Sequence, residues 1–391
     1  MLFIVLLAIL TLGYWLYIAY ESIRGLPALK SLPRTKTPVR SGATVSVIIA
    51  AKDEGHTIVE TVQRLLRQDY PCTEVIVIND RSRDETGAKL EKLKGWANQH
   101  SRIPLIVRHV TTLPEGWLGK NHALYQGYLS VKGDYLLFTD ADVCFEPSVL
   151  SDAVNYMDTH KVDHLTLSPK IMAKPLLLRM FVRYFFFSFM LFFQPWKANN
   201  DKQLKKGMGI GAFNMMRKSA YEKIGTHRSL ATRPDDDLQL GLKVKQAGLK
   251  QRFLTALDHL SVEWYPDLPS AVRGLEKNSF AGLGYSLWLA GAACVAQFVC
   301  FIFPFVAVWL FSGWLMWLYL LTVVMILGLY AAHTFKLSGH IGVDLFLFPA
   351  SALLFLGIIV RSVLITLKQG GIYWRGTFYS LKELKEIKEK S

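Results

Sequence analysis

Two groups of acidic residues stand out in this sequence, because their side chains can bind a metal ion or accept a proton. Asp140 and Asp142 lie one residue apart after the apolar run YLLFT, and Asp235, Asp236 and Asp237 stand together in RPDDDLQLGLKVKQAG. Mg²⁺ and Mn²⁺ prefer carboxylate oxygens and are usually held by one or two of them together with substrate phosphates. An aspartate can also act as a general base. The two groups predict a metal and diphosphate site with a base close by.

The segments around these acids alternate between strand and helix patterns. Apolar, β-branched runs predict strands over residues 44–50, 74–78, 104–110, 134–139 and 163–167. Helical spacing predicts helices over residues 57–67, 122–130 and 147–157. This alternation indicates an α/β domain with a mainly parallel sheet and helices on both faces.

Ligands of open α/β sheets bind beyond the carboxyl ends of the strands. Carboxylates follow three predicted strands, namely Asp53 and Glu54 after the first, Asp80 after the second, and Asp140 with Asp142 after the fourth. A single acid at such a place has a simpler explanation as a turn residue or helix N-cap. Three acidic strand ends on one sheet edge favour a functional site.

The run Asp235 to Asp237 also has a simpler explanation. Acids at a helix N-terminus can cap the helix and interact favourably with its dipole. One cap needs one acid, however, and three adjacent carboxylates repel one another. We therefore interpret the run as part of the site.

The first part of the chain is strongly apolar, and 51% of all 391 residues are hydrophobic. Residues 1–20 contain no charged side chain. A stretch of this length is enough for a helix that spans about 30 Å of hydrocarbon. We predict a transmembrane anchor over residues 1–24, with a cleaved signal peptide as the alternative. The basic, proline-containing linker 25–43 favours a cytoplasmic location for the domain that follows.

Apolar segments return near the end of the chain. Residues 286–368 contain three stretches long enough to cross a bilayer, over residues 287–311, 315–335 and 341–367. A juxtamembrane segment, 271–285, precedes them, and a basic tail, 369–391, follows. Three crossings from the cytoplasm would leave that tail outside, against the usual charge bias. Either one segment is re-entrant, with Pro304 and Pro349 as candidate positions, or the tail is an exception.

A further apolar stretch, residues 175–196, carries Arg179 and Arg183 on one helical face. It is interpreted as a helix in the membrane interface, with a buried domain helix as the alternative. The net charge of +14 comes without a basic, aromatic-rich stripe, so it favours an anionic membrane surface over nucleic acid. These features predict a multi-pass protein of the cytoplasmic membrane whose catalytic domain faces the cytoplasm. Nothing in the sequence indicates an oligomeric state.

The cysteines show neither metal-site spacing nor a disulfide framework, which fits a reducing compartment. They are Cys72, Cys144, Cys294 and Cys300.

Four motifs, in order, resemble the family 2 glycosyltransferases of the GT-A fold. They are SVIIAAKDEGHTI, VIVINDRSRDET, TDADV and PDDDLQLGLKVKQAG, and the resemblance extends from Val45 to about Gly248. It implies a GT-A glycosyltransferase domain over residues 44–270. It also implies a nucleotide diphosphate sugar as donor, expected to be a UDP-sugar, and Mn²⁺ or Mg²⁺ as cofactor.

The resemblance assigns donor-binding roles. It implies that Ala51 and Glu54 lie in the nucleotide-binding loop and that Glu54 contacts the ribose or uracil. It also implies that Asp80 contacts the uracil edge and that Asp140 contacts both the nucleotide and the metal. Asp142 would be the second metal ligand. Lys120, in GWLGKNHAL, would neutralise diphosphate charge, although a solvated lysine at a helix start is the alternative.

The resemblance also assigns the acceptor side. Asp237 corresponds to the catalytic base and Asp236 to the acid that precedes it, with an uncertainty of one residue in this run. Asp235, Gly209 and Gly211 would lie on the acceptor side, where glycines allow a substrate to approach closely. The reaction would be a direct displacement that inverts the anomeric carbon.

This chain lacks one motif that the polysaccharide synthases of the family carry. These enzymes carry Gln-x-x-Arg-Trp after the acidic residues, whereas this chain has RGLEKNSFAG. Arg273 and Lys277 in that stretch could contact the leaving diphosphate or serve as juxtamembrane anchors. The overall layout resembles bacterial enzymes that glycosylate carotenoid acids and hopanoids, which implies a membrane lipid as acceptor. The alternatives are a synthase that extends a glycan and an inactive nucleotide-sugar-binding membrane protein.

Overall fold

The structure, a computed structural model, describes residues 2–35, 42–70, 73–374 and 377–382. The chain forms two compact units. The helical unit comprises Met1–Leu26, Met172–Phe193 and Trp264–Ser391, and the sheet unit comprises Pro27–Ile171 and Gln194–Glu263. Part of the basic linker, residues 36–41, lies outside the described residues, as do Cys72 and the end of the basic tail, residues 383–391.

The helices and strands are numbered in chain order. The α-helices are α1 Leu2–Gly25, α2 Ile58–Leu65, α3 Thr86–His100, α4 Gly119–Tyr128, α5 Val149–His160, α6 Leu176–Phe193, α7 Lys218–Lys223, α8 Asp236–Gln246, α9 Leu268–Gly282, α10 Leu287–Gln297, α11 Phe303–Leu310, α12 Gly313–Ser338 and α13 Phe348–Gln369. The β-strands are β1 Val45–Ala51, β2 Thr73–Asp80, β3 Leu105–Val110, β4 Tyr135–Thr139, β5 Val143–Phe145, β6 His164–Ser168, β7 Lys170–Met172, β8 Asn214–Arg217, β9 Gln251–Thr255, β10 Leu260–Glu263, β11 Gly371–Trp374 and β12 Thr377–Ser380.

The sheet unit is built on a seven-stranded sheet with the order β3-β2-β1-β4-β8-β6-β9. β1 pairs in parallel with both β2 and β4, β2 pairs in parallel with β3, and β6 pairs in parallel with β9. Only β8 runs against its two neighbours in this sheet. The predicted α/β class with a mainly parallel sheet is therefore confirmed.

Both faces of this sheet are buried under helices. Side chains of successive strand residues point to opposite faces, so each strand contributes to both buried layers. On β1, Val47 and Ile49 pack in the cluster that contains residues of α2, α3 and α5. Ile48 packs on the other face with residues of α4, α7 and α8. This two-sided burial explains why β1 reads as an unbroken apolar run rather than an alternating one.

The predicted strands and helices are present with shifted ends. α4 begins at Gly119 instead of His122, so that Lys120 lies in its first turn. β2 extends to Asp80. The residue pattern alone does not predict strand β8, because NMMR is four residues long and follows a glycine-rich segment without an apolar alternation. The family resemblance of residues 207–225 does imply a strand and a turn on the acceptor side.

The boundaries of the two compact units differ from the predicted domain boundaries at two places. Residues 30–32 of the predicted linker belong to the sheet unit, where Leu32 N–H donates to the Thr255 carbonyl at 2.8 Å and Thr255 N–H donates to the Lys30 carbonyl at 2.9 Å. Residues 172–193 of the predicted domain belong to the helical unit, because α6 is apolar and packs there. Its Tyr184 and Phe187 lie in one buried cluster with residues of α1, α12 and α13.

The described residues include five helical segments that are long and apolar enough to cross a membrane. They are Leu2–Ala28, Leu176–Phe193, Leu287–Leu310, Gly313–Ser338 and Val343–Gln369. Pro304 follows a π-helical turn, Phe298–Ile302, between α10 and α11, and Pro349 lies in the first turn of α13. Neither proline reverses the chain within a helix, and the number of crossings stays a prediction.

Close packing of α4 on β1 gives a stability prediction. A Cβ at Gly127 would lie 2.4 Å from Ile48 Cγ2, and Ile48 is fully buried in the centre of the sheet. Gly127→Ala should therefore lower the thermal unfolding midpoint of the full-length protein in detergent by a few degrees, since overpacking costs about 1–3 kcal/mol. Differential scanning fluorimetry measures this change.

Gly95 in α3 provides the matched control, because a Cβ there would meet nothing within 4 Å. Gly95→Ala should raise the midpoint, since alanine in a helix interior is more favourable than glycine by about 0.5–1 kcal/mol. An equal rise for both variants would contradict the close approach of α4 to β1.

Candidate functional site

The acidic strand ends predicted from the sequence lie on one edge of the sheet. β1 stands between β2 and β4 in parallel register, so the carboxyl ends of these three strands point the same way. Glu54 follows β1, Asp80 is the last residue of β2, and Asp140 follows β4. β1 and β4 also flank the point where the strand order reverses, which is where open α/β sheets form a ligand crevice.

The loop after β1 is tied to the loop after β2. Asp53 has a left-handed backbone with φ 56°, and its carboxylate accepts the Arg83 N–H at 2.7 Å. In return, the Asp53 N–H donates to Ser82 Oγ at 3.0 Å, and the Glu54 N–H donates to Thr86 Oγ1 at 2.8 Å. These bonds hold Glu54 and the fully buried end of β1, Ala51, in place at the sheet edge.

Asp80 is 1% exposed and is bound by its own neighbour. Arg81 donates from Nε to Asp80 Oδ1 at 2.7 Å and from Nη2 to Oδ2 at 3.0 Å. Gly119, at the start of α4, lies so close that a Cβ there would be 2.4 Å from Asp80 Oδ2. The carboxylate is thus engaged in this structure, and its contact with uracil stays a prediction.

A cleft at the end of β4 brings together Lys120 and three carboxylates. Lys120 Nζ lies 2.9 Å from Asp140 Oδ1 and 3.6 Å from Asp236 Oδ1, and its side chain is 18% exposed. The residues that line this cleft are Lys120, Leu124, Phe138, Thr139, Asp140, Gly211, Asn214, His227, Asp236, Asp237 and Leu240. α4, β4 and α8 therefore place one cation among acids that lie far apart in sequence.

The carboxylates in this cleft raise the pKa of Lys120. Burial lowers the pKa of Lys120, but the carboxylates of Asp140, Asp236 and Asp237 outweigh burial, and the pKa lies well above that of a free lysine. Lys120 is therefore held as a cation. Its side chain is largely buried and paired with Asp140, and its contact with a diphosphate stays a prediction.

Asp237 faces the glycine-rich segment before β8. Its Oδ2 accepts the Gly211 N–H at 2.8 Å, and its Oδ1 accepts the Leu238 N–H at 2.8 Å. Burial, followed by the charge of Asp236, raises the pKa of Asp237 above that of a free aspartate. A carboxylate with a raised pKa is a stronger base, which suits a group that takes a proton.

The glycines expected on the acceptor side lie between the two acidic groups. A Cβ at Gly211 would be 2.3 Å from Asp140 Oδ2, and a Cβ at Gly209 would be 2.0 Å from the Asp237 carbonyl oxygen. Any larger residue at either position would push the acidic groups apart. Glycine is thus required here by close packing, whatever substrate binds.

Asp235 is turned to other partners. It accepts two hydrogen bonds from Arg233, at 3.0 and 2.9 Å, and one from Gln239 Nε2 at 2.7 Å. Although Asp235 stands at the N-cap of α8, its side chain makes no capping hydrogen bond. Its acceptor-side role stays a prediction.

Asp140 and Asp142 fit a divalent cation by the chemistry of their side chains. Among the described residues, no group of three or more His, Cys, Asp or Glu side chains forms a complete metal cage. Two carboxylates are nevertheless sufficient for Mg²⁺ or Mn²⁺ when substrate phosphates supply further oxygens. Burial, followed by the charges of Asp140 and Glu54, raises the pKa of Asp142 to about 7. A cation at this place would relieve that repulsion.

Arg273 and Lys277 belong to the helical unit, in α9. Arg273 Nη2 donates to Ser270 Oγ at 2.9 Å, one turn earlier in the helix. The Lys277 side chain lies outside the described part of the structure. A diphosphate contact for either residue stays a prediction.

His227 lines the cleft but was missed by sequence reasoning. It is 1% exposed, and its Nε2 lies 3.8 Å from Asp236 Oδ2. A lone histidine eight residues before an acidic run gives no usable signal in the sequence. Only the fold of the 3₁₀ helix His227–Leu230 beside α8 brings the two side chains together.

Part of this chain is similar to known proteins. Residues 46–225 match the family described as "Glycosyl transferase family 2". The Escherichia coli protein "UDP-Glc:alpha-D-GlcNAc-diphosphoundecaprenol beta-1,3-glucosyltransferase WfaP" is 34% identical over 118 residues, which are 30% of this chain and 43% of that protein. The "4,4'-diaponeurosporenoate glycosyltransferase" of Staphylococcus aureus (strain N315) is 33% identical over 112 residues, 29% of this chain and 27% of that protein. The matched stretches thus span less than half of either relative.

A solved structure shares the architecture. The "Mannosyltransferase PcManGT from Pyrobaculum calidifontis in complex with GDP-Man and Mn2+" aligns with a TM-score of 0.53 at 16% identity, over 94% of this chain and 99% of that chain. At this identity the likeness shows the fold alone. The match over residues 46–225 and this shared architecture support a family 2 glycosyltransferase domain with a GT-A fold within this chain.

Proposed function

We propose that this protein is a membrane-bound, inverting glycosyltransferase that moves a sugar from a UDP-sugar to a membrane lipid. The observation that carries the proposal is the cleft at the end of β4, where Lys120 lies 2.9 Å from Asp140 and 3.6 Å from Asp236 with Asp237 beside them. A cation and a base are the two groups that sugar transfer from a nucleotide diphosphate needs.

Donor and acceptor are inferred from the relatives. The E. coli relative is named for UDP-Glc and for an acceptor on diphosphoundecaprenol, and the S. aureus relative is named for a carotenoid acid. Both acceptors are lipids, and five helical segments of this chain are long and apolar enough to cross a membrane. A UDP-sugar and a lipid acceptor are the choices that fit these three observations together.

In the proposed reaction, Asp237 takes the proton from an acceptor hydroxyl as that oxygen attacks the anomeric carbon. The bond between the sugar and the diphosphate breaks on the opposite side, which inverts the configuration. Lys120 offsets the negative charge that develops on the leaving diphosphate. Asp236, which already faces Lys120, keeps that cation within the cleft.

Asp140 and Asp142 would hold Mn²⁺ or Mg²⁺. Such a cation supplies Lewis-acid stabilisation of the diphosphate oxygens. Glu54 contributes a further negative charge beside Asp142, and the tethered loop after β1 keeps that charge in position.

The connectivity around α6 bears on the membrane topology. Strand β6 precedes this helix in the chain and β8 follows it, and the two pair with each other in one sheet, with His164 opposite Met216. A single crossing by α6 would put these paired strands on opposite sides of the membrane. We therefore propose that α6 does not cross but lies in the membrane interface. The basic linker 25–43 supports the further proposal that the sheet unit faces the cytoplasm at the inner membrane.

Replacement of the proposed base should abolish transfer while the protein stays folded. Asp237→Asn should lower kcat by at least about 100-fold, since general-base catalysis contributes about 10²–10⁴-fold. The measurement is incorporation of radiolabelled sugar from a UDP-sugar into the solvent-extracted lipids of membranes that contain equal amounts of each variant.

Asp201→Asn serves as the control for the loss of one carboxylate. Asp201 is half exposed and paired with Arg252 outside the cleft, with Arg252 Nη1 at 2.6 Å. This variant should keep normal activity. Equal activity of Asp237→Asn and Asp201→Asn would overturn the proposed role of Asp237.

Removal of divalent cations gives a separate prediction. EDTA should stop transfer, and added Mn²⁺ or Mg²⁺ should restore it, because the carboxylates of Asp140 and Asp142 would otherwise repel the diphosphate. Titration calorimetry in the presence of UDP should show Mn²⁺ binding to the wild-type protein, with at least about tenfold weaker binding to Asp142→Ala. Full activity in EDTA would contradict a metal-dependent reaction.

A further inference from the structure

Tyr221 and His227 form a buried pair next to Asp236 of α8. Tyr221 is fully buried in α7, and His227 is 1% exposed. The Tyr221 hydroxyl oxygen lies 2.6 Å from His227 Nδ1, and the same oxygen accepts the backbone N–H of His227 at 2.9 Å. The tyrosine therefore contacts its histidine partner twice.

These two contacts determine which ring nitrogen carries the proton. The tyrosine oxygen already accepts one hydrogen bond from the backbone, so its own O–H hydrogen is free to donate to Nδ1. With Nδ1 as an acceptor, the proton of a neutral imidazole resides on Nε2, because the bond made by one nitrogen sets the state of the other. His227 Nε2 is then a donor.

That donor lies near a residue of the cleft. His227 Nε2 lies 3.8 Å from Asp236 Oδ2, while the other oxygen of Asp236 lies 3.6 Å from Lys120 Nζ. A shift of less than about 1 Å would turn the histidine contact into a hydrogen bond. Asp236 thus stands between two positive or donating groups, one at each carboxylate oxygen.

The imidazole is held firmly in this orientation. Its ring packs edge-on against Phe138 of β4, with centroids 4.8 Å apart. The residue before it, Thr226, has φ 57°, a conformation that a β-branched residue rarely adopts. The surrounding structure maintains this strained backbone, and strained residues of this kind cluster at functional sites.

We propose that His227, with its tautomer set by Tyr221, is a positioning residue that donates from Nε2 to Asp236 and thereby keeps the other Asp236 oxygen on Lys120. This inference rests on the proposed function, since it assigns His227 to the sugar-transfer cleft. Loss of the histidine donor would weaken the placement of the Asp236 oxygen beside Lys120.

The tautomer can be observed directly. Full-length protein with ¹⁵N-labelled histidine, in lipid nanodiscs, is measured by spectra that correlate ring nitrogens with ring hydrogens. The His227 signal is assigned as the one that His227→Gln removes. The expected result is a proton on Nε2 in the wild-type protein and a mixture of tautomers in Tyr221→Phe. A proton on Nδ1 in the wild-type protein would overturn the inference.

Measurements of kcat and KM then show whether His227 acts by positioning Asp236 or only by filling space. His227→Leu should lower kcat by about tenfold or more, because a small misplacement of a site residue can cost up to about 100-fold, while the donor KM stays within about twofold. His227→Gln can still donate a hydrogen bond to Asp236 and should recover most of kcat. Equal losses in the Leu and Gln variants would show that His227 acts through packing alone.

His259 offers a matched control in the same unit. It is also buried and faces a carboxylate, with Nε2 3.1 Å from Asp152 Oδ2, but neither residue lines the cleft. His259→Leu should lower the unfolding midpoint without a change in kcat per folded molecule. A kcat loss in His259→Leu as large as in His227→Leu would contradict a specific role of His227.

The spectra can be recorded without any enzymatic activity. The proposed sugar transfer and the proposed role of His227 can therefore fail separately. A wild-type protein that transfers sugar to no lipid would overturn the proposed function. The tautomer of His227 and its change in Tyr221→Phe would still decide whether this pair directs a donor at Asp236.

Discussion

The ion pair between Lys120 and Asp140 is the interaction on which the candidate site depends. It joins the first turn of α4 to the end of β4 at 2.9 Å, and Asp236 at the start of α8 lies 3.6 Å from the same ammonium group. Without the lysine, the carboxylates of Asp140, Asp236 and Asp237 would lose a cation that offsets their charge. Such an arrangement is costly, because like charges in a low-dielectric cleft repel strongly.

The surrounding fold explains how these groups meet. α4 packs on β1 at Gly127, and its start lies against Asp80, so that Lys120 enters the cleft from the β2 side. Gly209 and Gly211 allow the segment before β8 to pass between the acids of β4 and those of α8. The fold thus brings one cation and several acids together at the place where a GT-A sheet opens. The same place is where a diphosphate and its metal would replace the internal ion pairs.

Much of this arrangement is readable in the sequence, and the exceptions have physical causes. The apolar run of β1 and the acid that ends β4 are local signals, so the class of fold and the sheet edge are predictable. Lys120 was identified as a site residue, but its pairing with Asp236 depends on the packing of α4 and α8, which no local pattern encodes. The Asp80 bond to Arg81 and the contact of His227 with Asp236 are likewise products of side-chain orientation. The short strand β8 has too few residues to show an alternation.

The most direct test of this account is a structure of the full-length protein with Mn²⁺ and UDP bound. We expect the metal on Asp140 and Asp142, and we expect Lys120 Nζ within hydrogen-bonding distance of a diphosphate oxygen instead of its present 2.9 Å contact with Asp140. UDP bound elsewhere in the protein, with Lys120 still paired to Asp140, would contradict the assignment of this cleft as the sugar-transfer site.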